Sequence, residues 1–134
     1  SIVIQELAAT DFEEYRLVNE LILQGKAVQP SILVAQAKDD KEYDIVVISK
    51  AADTMLAMSG IEASFVIAKN SQGDISISAR SRSKINVQRI MEELGGGGHF
   101  NLAAARLTDM TLQEAGEKLK TVISNEIREK ETEE

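Results

Sequence analysis

Apolar residues along the chain recur either every third to fourth position or every second one, and these spacings mark out the elements. Leu17, Val18, Leu21 and Ile22 form one stripe and predict an amphipathic helix over 10–25. Thr10 or Asp11 can cap it, Glu13 and Glu14 suit its first turn, and Gly25 is its stop. Pro30 then breaks the path, and residues 31–37 predict a strand. Asp39, Asp40, Lys41 and Glu42 make a charged turn. The run Ile45-Val46-Val47-Ile48 favours a strand but leads into a helical pattern, so it reads either way. Ser49 is the expected cap of a helix over 50–58, with Ala51, Ala52, Met55 and Leu56 inward and Gly60 at its end.

Strict alternation follows. Ala63, Phe65 and Ile67 alternate with Ser64 and Val66, and Ile75, Ile77 and Ala79 alternate with Ser76, Ser78 and Arg80. With Asn70-Ser71-Gln72-Gly73 between them, 62–69 and 74–81 predict a hairpin. Asn86 caps a helix over 87–94, whose buried stripe is Val87, Ile90, Met91 and Leu94. After Gly95 to Gly98 a further helix is expected to start near His99 and run through Ala103, Ala104 and Ala105. Thr111 opens the last helix, with Glu114 completing a capping box, and the charged tail from 126 to 134 is expected to fray. The expected fold class is α/β: a mixed sheet of about four to five strands flanked by helices, with a Gly-rich loop between two helices.

Composition narrows the chemistry. The 134 residues suit one domain, and 43% apolar content with only 4% aromatic and no Trp makes the core aliphatic. No run approaches the ~18 apolar residues of a membrane span, and no basic start marks a secretory signal. There is no Cys, which excludes disulfides and thiolate metal sites, and a single His, His99, argues against a dedicated metal centre in this chain. A net charge of −7 disfavours a general nucleic-acid surface. Residues 75–91 nevertheless carry Arg80, Arg82, Lys84 and Arg89 with no acid, a basic island that suits a local anion site or simply a solvated strand end and helix face.

Four consecutive glycines are the sharpest feature. Without side chains, successive N–H groups can converge on an anion, and a helix starting after them would add its dipole. His99 at that point could donate to a phosphate oxygen. The alternative is a hinge or a tight corner. No Lys-Ser or Lys-Thr follows, so this is not a P-loop. No Ser-His-Asp or Cys-His set and no cluster of metal ligands is visible, and Asp39, Asp40, Glu92 and Glu93 read as solvated charges.

The run Ile77-Ser78-Ala79-Arg80-Ser81-Arg82-Ser83, then Asn86-Val87, then Gly95 to His99, resembles the DHH-associated domain of DHH phosphoesterases, a group that includes RecJ-type nucleases and oligoribonuclease/phosphatase enzymes. Ile48 to Asp53 and Gly60 to Ile67 look most like the GdpP-type cyclic-di-AMP phosphodiesterase branch. The resemblance implies residues 1–30 as a helical linker from a catalytic lobe, and residues 31–134 as the substrate-binding domain. It implies a manganese-dependent parent that hydrolyses cyclic-di-AMP to pApA, with two manganese ions on the catalytic lobe and no cofactor or metal in this chain. By carry-over, Gly96, Gly97, Gly98 and His99 would contact a phosphate, Arg80 would pair with it, and Ser81 or Ser83 would add a hydroxyl. The Arg-Ser step occurs twice, so Arg80 and Arg82 compete for the role. No residue of this chain is implied as catalytic, so the isolated chain is expected to be inactive.

The implied partners are a cyclic dinucleotide or short oligonucleotide, the catalytic DHH lobe of the same polypeptide and a homodimer formed through the parent, without direct membrane contact. The implied location is cytoplasmic, on that side of a membrane-anchored parent. An RNA- or oligonucleotide-binding module of a DHH-type nuclease or oligoribonuclease is the alternative. The scarcity of stacking aromatics weighs against it.

Overall fold

A computed structural model describes residues 2–38 and 41–133 of the chain; Asp39 and Asp40, of the charged turn, lie outside the described residues. Helix α1 (Ile2–Ile22) leads into strand β1 (Gly25–Gln29), which turns through Pro30 and Ser31 into β2 (Ile32–Gln36). A short β3 (Glu42–Tyr43) precedes α2 (Ile45–Leu56), followed by β4 (Ala63–Asn70) and β5 (Ile75–Ser81). Helix α3 (Val87–Glu93), the two-residue β6 (Gly97–Gly98), β7 (Leu102–Leu107) and α4 (Leu112–Glu133) complete the order.

The strands form one mixed sheet in the order β1-β2-β4-β5-β7-β6, with β3 pairing alongside β4. Strands β2 and β4 run parallel, with α2 in the connection between them, as a parallel pair requires. The β4–β5, β5–β7 and β1–β2 pairs are antiparallel. The α/β class and the five strands of five or more residues therefore match the expectation from sequence.

Side chains alternate across the sheet, and this sorts the helices. The Ser64 hydroxyl donates to the Ala52 carbonyl of α2, and Ser49 of α2 meets Ser78 of β5 at 3.3 Å. Ser64, Ser78 and Arg80 thus share the α2 face, and α1 packs on α2. On the opposite face Phe65, Ile67, Ile77 and Ala79 are fully or almost fully buried. Helices α3 and α4 cover that side, with Ile90, Met91, Ala115, Leu119 and Ile123 completely buried.

Several local expectations give way to packing. Helix α1 starts at Ile2, so Thr10 and Asp11 lie within it rather than capping it, and it ends before Gly25, which opens β1. The ambiguous run Ile45–Ile48 is helical: Asp44, not Ser49, is the cap, its carboxylate accepting from the Val46 N–H at 2.8 Å. Burial of Val47, Ile48, Ala51, Ala52 and Met55 along one face outweighs the β-branched residues' strand preference.

The expected helix from His99 through Ala105 is strand β7. Alanine favours helix, but Ala103, Ala105 and Leu107 are buried and Leu102, Ala104 and Arg106 exposed in strict alternation, and pairing with β5 decides the outcome. The glycines consequently run from the end of α3 into the β6–β7 hairpin, Gly97 and Gly98 being β6 itself, and do not lie between two helices. Residues 126–133 continue α4 to Glu133, and Glu126 and Glu129 face Arg89 of α3.

Two caps and ties agree with the reading from sequence or extend it. Asn86 caps α3, accepting from Gln88 and Arg89 N–H groups, and Thr111 and Glu114 close a reciprocal capping box. Glu20 of α1 accepts from Lys41 at 2.8 Å and from the Tyr43 hydroxyl at 3.0 Å, tying α1 to β3. These bonds, Lys41 first, hold its carboxyl below the ordinary value of 4.5.

Asn86→Ala should lower the unfolding free energy in urea by about 1 kcal/mol, the usual cost of a lost N-cap. Glu20's folded pKa is depressed, so its contribution is complete above its unfolded value and disappears as pH falls through the lower folded one. Glu20→Gln should therefore flatten the fall in thermal stability below about pH 4.5, the ordinary value.

Candidate functional site

Beyond the edge of α2, the same sheet face opens into a cleft of about 410 Å³. Its floor is Ser76, Ser78 and Arg80 of β5 with Ala104 of β7; Ile45 and Ser49 of α2 form one wall, and Gly95, Gly96 and Leu102 lie on the other side. Ile45 and Leu102 are each about half exposed, so a polar floor is flanked by two aliphatic side chains. The β5 part of the floor is nonetheless buried: Ser76, Ser78 and Arg80 are 7%, 4% and 8% exposed.

Two arginines line the cleft: Arg106 of β7 is exposed and pairs with Asp74, and Arg80 is the buried one. Its Nε donates to the Asp53 carboxylate of α2 at 2.6 Å, and its Nη1 donates to the Ala79 carbonyl at 3.0 Å. A guanidinium has five N–H donors, so these two bonds leave donors for a ligand. Ser49 and Ser78 share one hydrogen bond, leaving a hydroxyl proton of the pair to turn outward. Ser76 accepts from Asn70 at 2.8 Å. An arrangement of one held guanidinium, paired hydroxyls and aliphatic walls can take a phosphate on its floor and an apolar ring between its walls.

The two arginines are placed differently. Arg82, past the end of β5, donates from Nε to the Ile61 carbonyl at 3.0 Å and from Nη2 to the Leu56 carbonyl at 2.9 Å. It braces the C-terminal end of α2 and does not line the cleft. Arg89 faces Glu126 and Glu129, so the basic island does not converge on one anion.

The other residues singled out from sequence are dispersed. Ser81 is on the opposite sheet face from Arg80, with its hydroxyl donating to the Phe100 carbonyl at 3.1 Å. Ser83 is exposed beyond β5. Gly97 and Gly98 pair with Ala104 and Ala103 as β6. His99 sits exposed in the turn between β6 and β7, where its N–H donates to the Leu102 carbonyl at 2.8 Å. Asn101 anchors that turn by donating to the carbonyls of Ser81 and Arg82. No helix begins at His99, so no helix dipole acts there.

The glycines have a packing role as well. A Cβ on Gly96 would collide with the Ala104 carbonyl and with Ala105, and one on Gly98 would press into Ala103. Sequence reasoning did not single out Ser49, Ser76, Ser78, Leu102 or Asp53 as site residues. The available signal was the polar alternation Ser76, Ser78, Arg80 in a strand whose other face is aliphatic, since a central strand seldom buries three polar side chains in a row without a use for them.

Residues 29–129 match the DHHA1 domain. This chain belongs to that family. The chain is 41% identical over 123 residues to the cyclic-di-AMP phosphodiesterase GdpP of Geobacillus thermodenitrificans, covering 92% of this chain and 19% of that protein. It is 40% identical, over the same shares, to the cyclic-di-AMP phosphodiesterase PdeA of Listeria monocytogenes. The domain thus spans about one fifth of the curated relatives it matches. Among solved structures, an exopolyphosphatase-related protein from Bacteroides fragilis shares the fold with a TM-score of 0.71 at 18% identity, over 84% of this chain and 34% of that one.

Among the described residues no three His, Cys, Asp or Glu side chains come together. No helix among them is long and apolar enough to cross a membrane.

The four glycines should separate on substitution. Gly97→Ala, whose Cβ meets nothing, should stay within about 0.5 kcal/mol of the unaltered protein. Gly96→Ala, which overpacks the β6–β7 ladder, should cost about 1–3 kcal/mol. Paired denaturant melts of the two variants test this.

Proposed function

We propose that this domain is the substrate-binding lobe of a phosphodiesterase that hydrolyses cyclic-di-AMP to pApA. The observation that carries the reading is the identity of 40–41% across 92% of the chain with two cyclic-di-AMP phosphodiesterases. The cleft supports it, because it offers one buried guanidinium with donors to spare and two exposed aliphatic walls. Arg80 takes a phosphate oxygen from the floor, with the Ser49–Ser78 pair and the Gly96 backbone beside it. Ile45 and Leu102 flank an adenine. Gly97, Gly98 and His99, on the β6–β7 hairpin, and Ser83 beyond β5 are outer contacts for the part of the nucleotide that projects from the cleft; Ser81 serves the turn instead.

On this reading catalysis belongs to a DHH lobe of the same polypeptide, which carries two manganese ions, and this domain orients the phosphodiester towards it. The domain then faces the cytoplasm in a membrane-anchored parent, and homodimers form through that parent. An RNA-binding role is less well supported: the cleft has no aromatic side chain on which a run of bases could stack.

Titration of the chain with cyclic-di-AMP and pApA by calorimetry tests the reading. Arg80→Ala should weaken binding about tenfold or more, the worth of a charge-assisted bond, and His99→Ala less. Equal affinity of the Arg80→Ala chain and the unaltered one would overturn the assignment of the cleft. Tighter binding of a long oligonucleotide than of either dinucleotide would favour the RNA-binding alternative.

A further inference from the structure

Arg80 stands in a strand that is covered on both faces, with its side chain only 10% exposed. A guanidinium in such a place keeps one orientation only if its donors are held, and Nη1 is held by the Ala79 carbonyl. Its Nε meets Asp53 at 2.6 Å, and Asp53 itself is 60% exposed. The carboxylate is thus anchored by the helix that carries it and is not boxed in by its own packing.

The helix is fixed on the sheet by three polar ties that bracket this residue. Ser49 meets Ser78 four residues before Asp53, the Ala52 carbonyl accepts from Ser64 one residue before it, and the Leu56 carbonyl accepts from Arg82 three residues after it. These ties set the position of α2 along β5 and so determine where the Asp53 carboxylate lies relative to Arg80.

We propose that Asp53 is the positioning residue of this cleft: its carboxylate takes the Nε edge of Arg80 and turns the Nη side of the guanidinium towards the ligand. The inference rests on the reading of the cleft as the phosphate-binding site. It goes beyond that reading because Asp53 is not among the residues lining the cleft. Asp53 also carries a negative charge, which by itself weakens anion binding. The two effects have opposite signs, so orientation and charge can be told apart by experiment.

Asp53→Asn and Asp53→Ala remove the same charge, but only Asn keeps an oxygen that can accept from Nε. Neither substitution empties a buried space, because Asp53 is mostly exposed. The first measurement is free of ligand: the Arg80 Nε–H resonance in a nitrogen-15-labelled chain. It should stay slowly exchanging in the unaltered chain and in Asp53→Asn, and be lost to exchange in Asp53→Ala. The second is the affinity for pApA by calorimetry. Asp53→Asn should bind as tightly as the unaltered chain or tighter, and Asp53→Ala about tenfold more weakly than Asp53→Asn, the scale of one charge-assisted hydrogen bond.

Equal affinities for the two variants, with binding by the unaltered chain intact, would overturn the positioning role and leave Asp53 as a charge alone. So would a protected Nε–H in Asp53→Ala. Absence of pApA binding by the unaltered chain overturns the reading of the cleft instead, whatever the resonance shows.

Discussion

Once α2 lies across β4 and β5, every polar atom on that strand face has to find a partner in the protein or in a ligand, because an unmet buried donor or acceptor costs about 1–3 kcal/mol. The face is unusually polar: Ser64, Ser76, Ser78 and Arg80 are all buried there. Their partners are Ala52, Asn70, Ser49 and Asp53, and three of these four lie on α2. An apolar helix on an apolar face could slide by a turn at little cost. Directional bonds at three points cannot be satisfied in any other register, so the polar face specifies where α2 sits. The shape of the cleft follows, since its wall is the same helix that the floor has positioned.

The opposite face works by a different rule. Phe65, Ile67, Ile77 and Ala79 meet α3 and α4 in an apolar core, and the one buried hydroxyl of β5 on that face, Ser81, bonds the Phe100 carbonyl and not a helix. There, register comes from volume and close approach. Gly96 and Gly98 let the β6 backbone lie against Ala103 to Ala105 at distances no side chain would permit. The glycines therefore have a structural cause that the anion-nest argument alone does not supply. The two explanations are compatible, because a backbone stripped of side chains is both closely packed on one side and open to a ligand on the other.

What could be read from the chain tracked the range of the interactions involved. The β4–β5 hairpin, the Asn86 cap and the Thr111–Glu114 capping box depend on neighbours in sequence, and all were legible. Strand β7 was not, since three successive alanines carry a helical preference and the strand exists only because β5 offers it an edge. The cap of α2 was misplaced for a similar reason: Val47 and Ile48 are helical through burial against β4 and β5, while Val46 stays exposed. In the candidate site, Arg80 and the glycines stood out by residue type, but that Arg80 lines the cleft and Arg82 does not is visible only in the structure. Their spacing places both on one side of the strand. Only the end of α2, arriving from some 26 residues away to present the Leu56 carbonyl, commits Arg82 to a brace.

Charge finally separates the ligands such a cleft can hold. With a net charge of −7, the long-range field of the chain opposes polyanions, and each additional phosphate outside the cleft adds repulsion. Inside it, one guanidinium is already half satisfied by Asp53 and by its own strand. Arg82 and Arg89 are occupied in bracing helices and Arg106, on the cleft's lining, is paired with Asp74, so they do not extend the cleft into a basic groove. On the proposed reading, affinity must then come from short-range geometry around a single phosphate and from the aliphatic walls. That combination suits a dinucleotide, most of whose surface the cleft and a facing lobe can cover, better than a long strand whose binding grows with the number of phosphates neutralised.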